Sequence, residues 1–412
     1  MSRGWRTWLA VSVCALCVRA AYLAGHPPLR ELSGDASEYH AYATSLLDTG
    51  RYVGPNGDAA GRMPGYPLFL ASIYALFGRS TIAVAVAQVI LGTLACLLLY
   101  GAAGRLLEPP WSLFCGFYAA IYYDLFAPTA SILSESLYSF LLAAFAAVIL
   151  SGYGPAALRA AVAGLCLAGA YWVRPECLPW AVCALAALPW LTKDYTLRQI
   201  SCALAGVLLA VGLWGGRNAI VFKRFLPATS RGGFTLYLGL RLPLQNQKLQ
   251  LDPVAPSDVS LPELKRDDVF RKKYFDLKQT LRFGQIARAY AFDIASICYP
   301  FLPRYDATYV FLIPFWLLGF WAARQDKRLW PFCGFIIFSA GIYTFFGGPA
   351  SRYRFSLSPF MILLGGVGLR LAWRNFSRRA FLWSLSGWGA ANLLIWSSSE
   401  TFRRILLGLR SG

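Results

Sequence analysis

Two kinds of side chain stand out for the chemistry they could do together: carboxylates able to take a proton from a hydroxyl, and guanidinium groups able to hold a departing phosphate through paired hydrogen bonds. The carboxylates are Asp35, Glu38, Asp124, Glu135 and Glu176, and the guanidinium groups are Arg174, Arg217, Arg352 and Arg354. They come from five separate parts of the chain. Gathered at one surface, they would support transfer of a group away from a phosphate. Asp35 is the first candidate for the base, with Glu38 and Glu135 as competitors. Glu38 lies three residues on and would share a helical face with Asp35, where it could instead orient a neighbour. Glu135 opens an apolar run and could serve only to favour the positive end of that helix. Tyr39, Tyr42, Tyr66, Tyr171 and Trp172 could stack on a sugar ring or form an interfacial aromatic belt.

The elements that must position these groups are set by composition. Hydrophobic residues make up 57% of the 412 and charged residues 14%, with 39 Lys+Arg against 20 Asp+Glu for a net charge of +19. A soluble domain carries about 25% charged residues, so lipid is the solvent for most of this chain and a soluble globular enzyme is excluded. The basic residues punctuate apolar runs instead of gathering on one solvated domain, which argues against a nucleic-acid partner. Ten cysteines lie mainly inside apolar runs, where Cys behaves as a small hydrophobe, and no disulfide framework is legible. Cys14-x-x-Cys17 falls in the first apolar run, and with only His26 and His40 in the chain no multi-histidine metal site is expected.

Apolar runs long enough to cross a bilayer, one of them short, lie at 7–24, 81–104, 111–123, 135–152, 158–173, 177–191, 199–216, 307–323, 330–346, 355–373 and 381–397. The expectation is an all-α polytopic membrane protein, a bundle of about eleven transmembrane helices with interfacial helices on the outer face. The first run reads as an uncleaved anchor, since Arg19 interrupts it and further spans follow. If the N-terminus starts inside, the inner short loops carry Arg3, Arg6, Arg105, Arg159, Lys193, Arg198, Arg324, Lys327, Arg328, Arg374, Arg378 and Arg379. The outer ones carry only Arg174, Arg352 and Arg354, so the positive-inside rule orients the chain. A functional anion would explain why those three arginines are kept outside. Arg403, Arg404 and Arg410 would follow them there after eleven spans.

Two outer segments are too long to be plain connectors. They divide the chain into an N-terminal membrane domain of about seven spans, 1–216, containing a first outer loop at 25–80; an outer loop with amphipathic helices, 217–306; and C-terminal spans with a tail, 307–412. Leu68 to Phe77 reads as a helix in the interface. Phe270, Tyr274, Leu277 and Leu281 share one helical face, expected to pack on the membrane domain. The acids all fall in loops or at span ends. A coupled transporter would place ionisable groups near the midplane, so a transporter or flippase of lipid-linked sugars is the alternative reading and an enzyme acting at the outer interface the first.

Gly34-Asp35-Ala36 with Tyr39, Ala43, Leu47 and Thr49-Gly50, followed by Arg62-Met63-Pro64-Gly65-Tyr66-Pro67-Leu68-Phe69-Leu70-Ala71, resembles the first outer loop of family 39-type GT-C glycosyltransferases. That group includes the protein O-mannosyltransferases and the lipid A aminoarabinose transferases. The likeness continues through Leu133-Ser134-Glu135-Ser136-Leu137, Arg174-Pro175, Arg217-Asn218, Pro227, Gly232-Gly233 and Ser351-Arg352-Tyr353-Arg354 with Pro359, and so spans roughly residues 19–370. The resemblance implies an inverting GT-C enzyme moving a hexose or pentose from a polyprenyl-phosphate donor to a lipid, glycan or protein acceptor. It would act on the outer face of a bacterial cytoplasmic membrane, with no cofactor beyond the donor substrate and no metal. It assigns Asp35 as base and Glu135 as a second acid, with Arg62, Arg174, Arg352 and Arg354 as donor-phosphate ligands and Glu38, Tyr39 and Tyr66 beside them. Ala36 stands where many protein mannosyltransferases carry Glu, and the large soluble C-terminal domain of several relatives is missing.

Overall fold

The computed structural model describes residues 4–28, 31–246, 249, 251, 253–301, 305–346 and 351–399. The fold is all-α. In the N-terminal part α1 (Gly4–Gly25) leads to the first outer loop, which holds α2 (Asp35–Thr49) and α3 (Gly65–Phe77). Then follow α4 (Thr81–Leu106), α5 (Trp111–Ile121), the one-turn α6 (Tyr123–Phe126), α7 (Glu135–Leu150), α8 (Ala156–Val173), α9 (Leu178–Leu191) and α10 (Leu197–Phe222). The second outer segment forms α11 (Gly232–Asn246), the one-turn α12 (Pro256–Val259), α13 (Glu263–Thr280) and α14 (Phe283–Ile297). The C-terminal part consists of α15 (Ala307–Ala322), α16 (Trp330–Phe346), α17 (Arg354–Asn375) and α18 (Arg378–Ser397).

Each of the eleven apolar runs coincides with a helix to within a few residues, because in lipid a backbone can satisfy its N–H and C=O groups only within the segment itself. α10 is the largest extension, continuing to Phe222 from a capping box at Thr196 and Gln199. The short third run has a structural cause. Eleven residues of α5 reach only about 16 Å, roughly half the hydrocarbon thickness, and the chain then breaks and turns through α6. Arg19 on α1 is fully buried at that break, where it donates to the carbonyls of Ala15, Ala120 and Leu125 at 3.2, 3.5 and 3.2 Å. It takes up carbonyls left without a partner where the helix stops. Gly92 makes room for it: a Cβ there would press on its guanidinium.

α17 is the axis of the C-terminal part, with most of its length buried between α5, α7, α15 and α16. It crosses α15 with the backbones touching: a Cβ on Gly368 would overlap the Phe315 carbonyl oxygen, and one on Gly319 that of Leu364. Gly368→Ala is therefore expected to cost about 1–3 kcal/mol by overpacking and to lower the unfolding temperature in detergent. Gly341→Ala, in open space on α16, should leave it unchanged. An equal response in the two variants would rule out backbone contact as the determinant of this crossing.

The alternation of the spans places the loops of one sign together. At the end expected inside, Glu108 pairs with Arg370 and Arg374 at 2.9 and 3.1 Å, and Arg328 reaches the Arg105 carbonyl. The face made by Phe270, Tyr274, Leu277 and Leu281 does not pack on the spans as the periodicity suggested. It packs against Tyr237, Leu240 and Leu244 of α11 and Ala289 of α14. The second outer segment thus has a small core of its own, because three amphipathic helices can cover one another's apolar faces. Arg403, Arg404 and Arg410 lie outside the described residues.

Candidate active site

At the end of the bundle expected outside, a cavity of about 390 Å³ opens between α2, the loop before α3, the start of α7, the α8–α9 turn, the start of α11 and the α16–α17 connection. Asp35, Tyr39, Arg62, Glu135, Arg174 and Arg352 line it. Residues singled out by type and spacing, Glu176 among them, thus come from distant parts of the chain to one place, together with Arg62, which the resemblance alone had indicated.

Asp35 opens α2 directly after Gly34, whose φ of +57° lies in the left-handed region that favours glycine. Asp35 and Glu38 both occupy the first turn, where the helix dipole favours negative charge. The Asp35 carboxylate is held by two guanidinium groups: Arg62 donates to one oxygen and Arg352 to the other. Burial alone would push its pKa up, but the charges and hydrogen bonds of Arg62 and Arg352 outweigh that and hold it down at about 2. Arg62 also donates from Nε to Glu38 at 2.7 Å and lies over the Tyr39 ring. Glu38 takes the role of orienting a neighbour: besides Arg62 it binds both oxygens to Arg231, at 3.0 and 2.8 Å.

The first loop keeps its course by wrapping on Tyr42, whose buried hydroxyl accepts from the Gly61 N–H at 3.0 Å. A Cβ on either Gly54 or Gly61 would collide with that ring. Glu263 of α13 accepts from the Ala59 and Ala60 N–H groups at 2.6 and 2.8 Å and from Ser230. Arg266 pairs with Asp58 at 2.6 Å. The two long outer segments are therefore tied to each other by charge-assisted bonds beside the cavity, not merely adjacent.

On the opposite wall Glu135 begins α7 and Arg174 caps α8. Arg174 donates to Glu135 Oε1 at 2.8 Å and to Ser356 at 3.0 Å, while Tyr343 donates to Glu176 at 3.3 Å. Glu135 Oε2 is buried without a partner.

Arg354, Asp124, Tyr66 and Arg217, expected at the site, are placed elsewhere. Arg354 does not line the cavity: it is 1% exposed, donates to both oxygens of Asp124 at 2.8 and 3.1 Å and to Asp306 at 2.7 Å, and clamps the starts of α17, α6 and α15 together. Asp124 correspondingly sits buried at the α5–α6 break instead of in a solvated loop. Tyr66 is fully buried behind the wall, donating to Gln88 at 3.0 Å and packed edge-on against Tyr39. Arg217 is spent on the carbonyls of Ala59 and Tyr52. Conversely, Arg231, Tyr343 and Thr235 line the cavity without having been singled out. Arg231 lies in a long segment rich in Lys and Arg, where the positive-inside rule, which holds for short loops, singles out no residue. Among the described residues no three His, Cys, Asp or Glu side chains gather with metal-ligand geometry.

No family model and no curated protein matches the sequence. Solved structures do match the fold. ArnT from Cupriavidus metallidurans in the apo state superposes with a TM-score of 0.55 at 17% identity, over 92% of this chain and 62% of its own. The Archaeoglobus fulgidus oligosaccharyltransferase tethered to an acceptor peptide gives 0.54 at 13%, over 90% of this chain and 50% of its own. The archaeal oligosaccharyltransferase AglB, solved with an inhibitory peptide and a dolichol-phosphate, gives 0.53 at 11%, over 95% and 54%. The chain has the GT-C fold. It spans about half the length of the two oligosaccharyltransferases.

Proposed function

We propose that this protein is a membrane glycosyltransferase that moves a sugar from a polyprenyl-phosphate donor to a hydroxyl of a lipid, glycan or protein acceptor on the outer face of the membrane, with inversion. The observation that carries the reading is one carboxylate, Asp35, held between two arginines in a cavity at the membrane-end of the bundle. The dolichol-phosphate in the AglB structure lends support to a lipid-phosphate donor. In the step, Asp35 takes the proton of the acceptor hydroxyl, the oxygen attacks the anomeric carbon, and the bond from that carbon to the phosphate oxygen breaks. The phosphate leaves with the electron pair, its charge held by guanidinium groups. Arg352 is the best placed to meet it, being 45% exposed and, among the described residues, ion-paired with Asp35 alone. Pro179 of α9 and Ile342 and Phe346 of α16 make one side of the cavity apolar, which suits the first prenyl units of a donor.

A phosphate that engages Arg352 draws it away from Asp35 and so returns basicity to that carboxylate only when donor is in place. Arg352→Ala is expected to weaken polyprenyl-phosphate binding by about 10–150-fold, the equivalent of one charge-assisted contact of about 1.5–3 kcal/mol. Arg352→Lys should recover only part, since an ammonium cannot reproduce the paired geometry. Unchanged affinity in Arg352→Ala, measured by titration of the purified protein, would remove Arg352 as the phosphate ligand and with it this account of donor binding.

Orientation has its own test. With exposed cysteines replaced, Lys272→Cys on α13 should react with an impermeant thiol reagent added from outside, and Arg324→Cys only after the membrane is opened. The reverse pattern would put the cavity on the cytoplasmic side.

A further inference from the structure

Resting on the glycosyltransferase reading, we infer that the wall of the cavity formed by Glu135, Glu176 and the Tyr343–Tyr353 ring pair is the subsite for the donor's sugar ring, and that Glu135 and Glu176 determine which sugar is accepted. The two carboxylates differ from Asp35 in how they are occupied. Glu135 belongs to the cavity lining with its side chain 97% buried, and only Oε1 has a partner, Arg174; Oε2 is buried with no donor. Glu176 is partly exposed and meets only the Tyr343 hydroxyl at 3.3 Å, with Arg174 at 4.0 Å. A buried carboxylate oxygen without a donor is a standing demand for one. Arg174 is already committed to Glu135 and Ser356, and because Glu135 is part of the cavity lining a hydroxyl that enters the cavity can supply the donor.

The chemistry of that guest follows from the charges. At this wall Arg174 is already neutralised by Glu135, so Glu176 leaves it net negative and unfavourable to a phosphate, whereas Arg62 and Arg352 line the cavity beside Asp35. A neutral ring bearing neighbouring hydroxyls fits the acidic end, each hydroxyl donating to a carboxylate oxygen. The rings of Tyr343 and Tyr353 add a flat wall beside it, stacked at 4.5 Å with 14° between their planes. Carboxylates reading hydroxyls at the edge and an aromatic face against the ring are the two contacts a sugar can use. The donor is thus oriented: phosphate toward Arg352, sugar toward Glu135 and Glu176, with the anomeric carbon between them beside Asp35.

The test compares undecaprenyl phosphate with undecaprenyl phosphate carrying glucose, mannose or galactose, titrated against the purified full chain. At least one sugar-bearing lipid should bind the wild type about tenfold or more tighter than the bare lipid, since hydrogen bonds to a buried group discriminate strongly. Glu135→Gln and Glu176→Gln should each shrink that advantage, or shift it to a different sugar, and leave bare-lipid affinity within about twofold. Glu176 is the safer variant because its contact with Arg174, at 4.0 Å, is much looser than that of Glu135 at 2.8 Å. Three outcomes overturn the inference: no sugar advantage in the wild type, an advantage unchanged in Glu176→Gln, or equal loss for bare and sugar-bearing lipids in a variant that keeps the wild-type unfolding temperature. Failure of the wild type to bind bare undecaprenyl phosphate overturns instead the donor reading on which the inference stands.

Discussion

Asp35→Asn is expected to lower sugar transfer by about 10²–10⁴-fold, the usual cost of losing a general base, while binding of polyprenyl phosphate stays the same or tightens. The second half follows from geometry. Asp35 competes with any incoming anion for Arg352, and a neutral amide competes less. The pH dependence carries a sharper signature. With its pKa held at about 2 by Arg62 and Arg352 against the upward push of burial, Asp35 in the free protein stays ionised far into acid. Its ion pairs therefore contribute to stability above the ordinary carboxylate range and lose that contribution only as pH falls toward 2. Once phosphate has drawn Arg352 away, the value rises toward that of an ordinary carboxylate. The acidic limb of kcat should then appear at higher pH than that of kcat/KM, since the two report the donor complex and the free protein respectively. Wild-type turnover by Asp35→Asn under saturating donor would remove Asp35 from the mechanism and pass the role to Glu135, which shares the cavity.

Arg354→Ala is expected to destabilise the fold by about 3–5 kcal/mol, because it leaves two buried carboxylates without their counter-charge. Asp124 and Asp306 share that one guanidinium, which also donates to the Tyr299 carbonyl at 3.0 Å and lies over the Tyr309 ring. The loss should depend on pH in a direction that can be worked out. Burial first, and then the neighbouring charge of Asp124, already push Asp306 up to about 6 against the pull of Arg354. Without the arginine only the hydrogen bonds from the Thr308 hydroxyl and the Tyr309 N–H oppose them, so the carboxyl is raised further. A raised carboxyl contributes stability while protonated and loses it as pH rises through its folded value. The variant should thus sit closer to wild type at pH 5 than at pH 8 in a detergent unfolding series. A fully stable Arg354→Ala protein with weakened donor binding would return Arg354 to the phosphate site, where its sequence neighbourhood had placed it.

Arg352 and Arg354 show where sequence reasoning stops. Two residues apart on the same outer connection, they carry the same positive-inside anomaly, and nothing in type or spacing separates them. The turn that ends at Tyr353 decides: one side chain faces the cavity, the other goes into the bundle to meet Asp124 from a break in α5 that no span count reveals. Tyr66 is a second case, its motif neighbours Arg62 and Met63 lining the cavity while its own ring points into the apolar layer below. The sequence by itself determined where the apolar helices lie along the chain, and it put Asp35, Glu135 and Arg352 among the charged candidates that line the cavity. Those follow from hydrophobic length and charge placement, which act residue by residue along the chain. Only the tertiary structure decided which charges meet one another: Arg231 joining Glu38, Arg354 leaving for the interior, Glu135 left with one free oxygen. Pairings of that kind depend on distances between residues tens to hundreds of positions apart, and local periodicity carries no information about them.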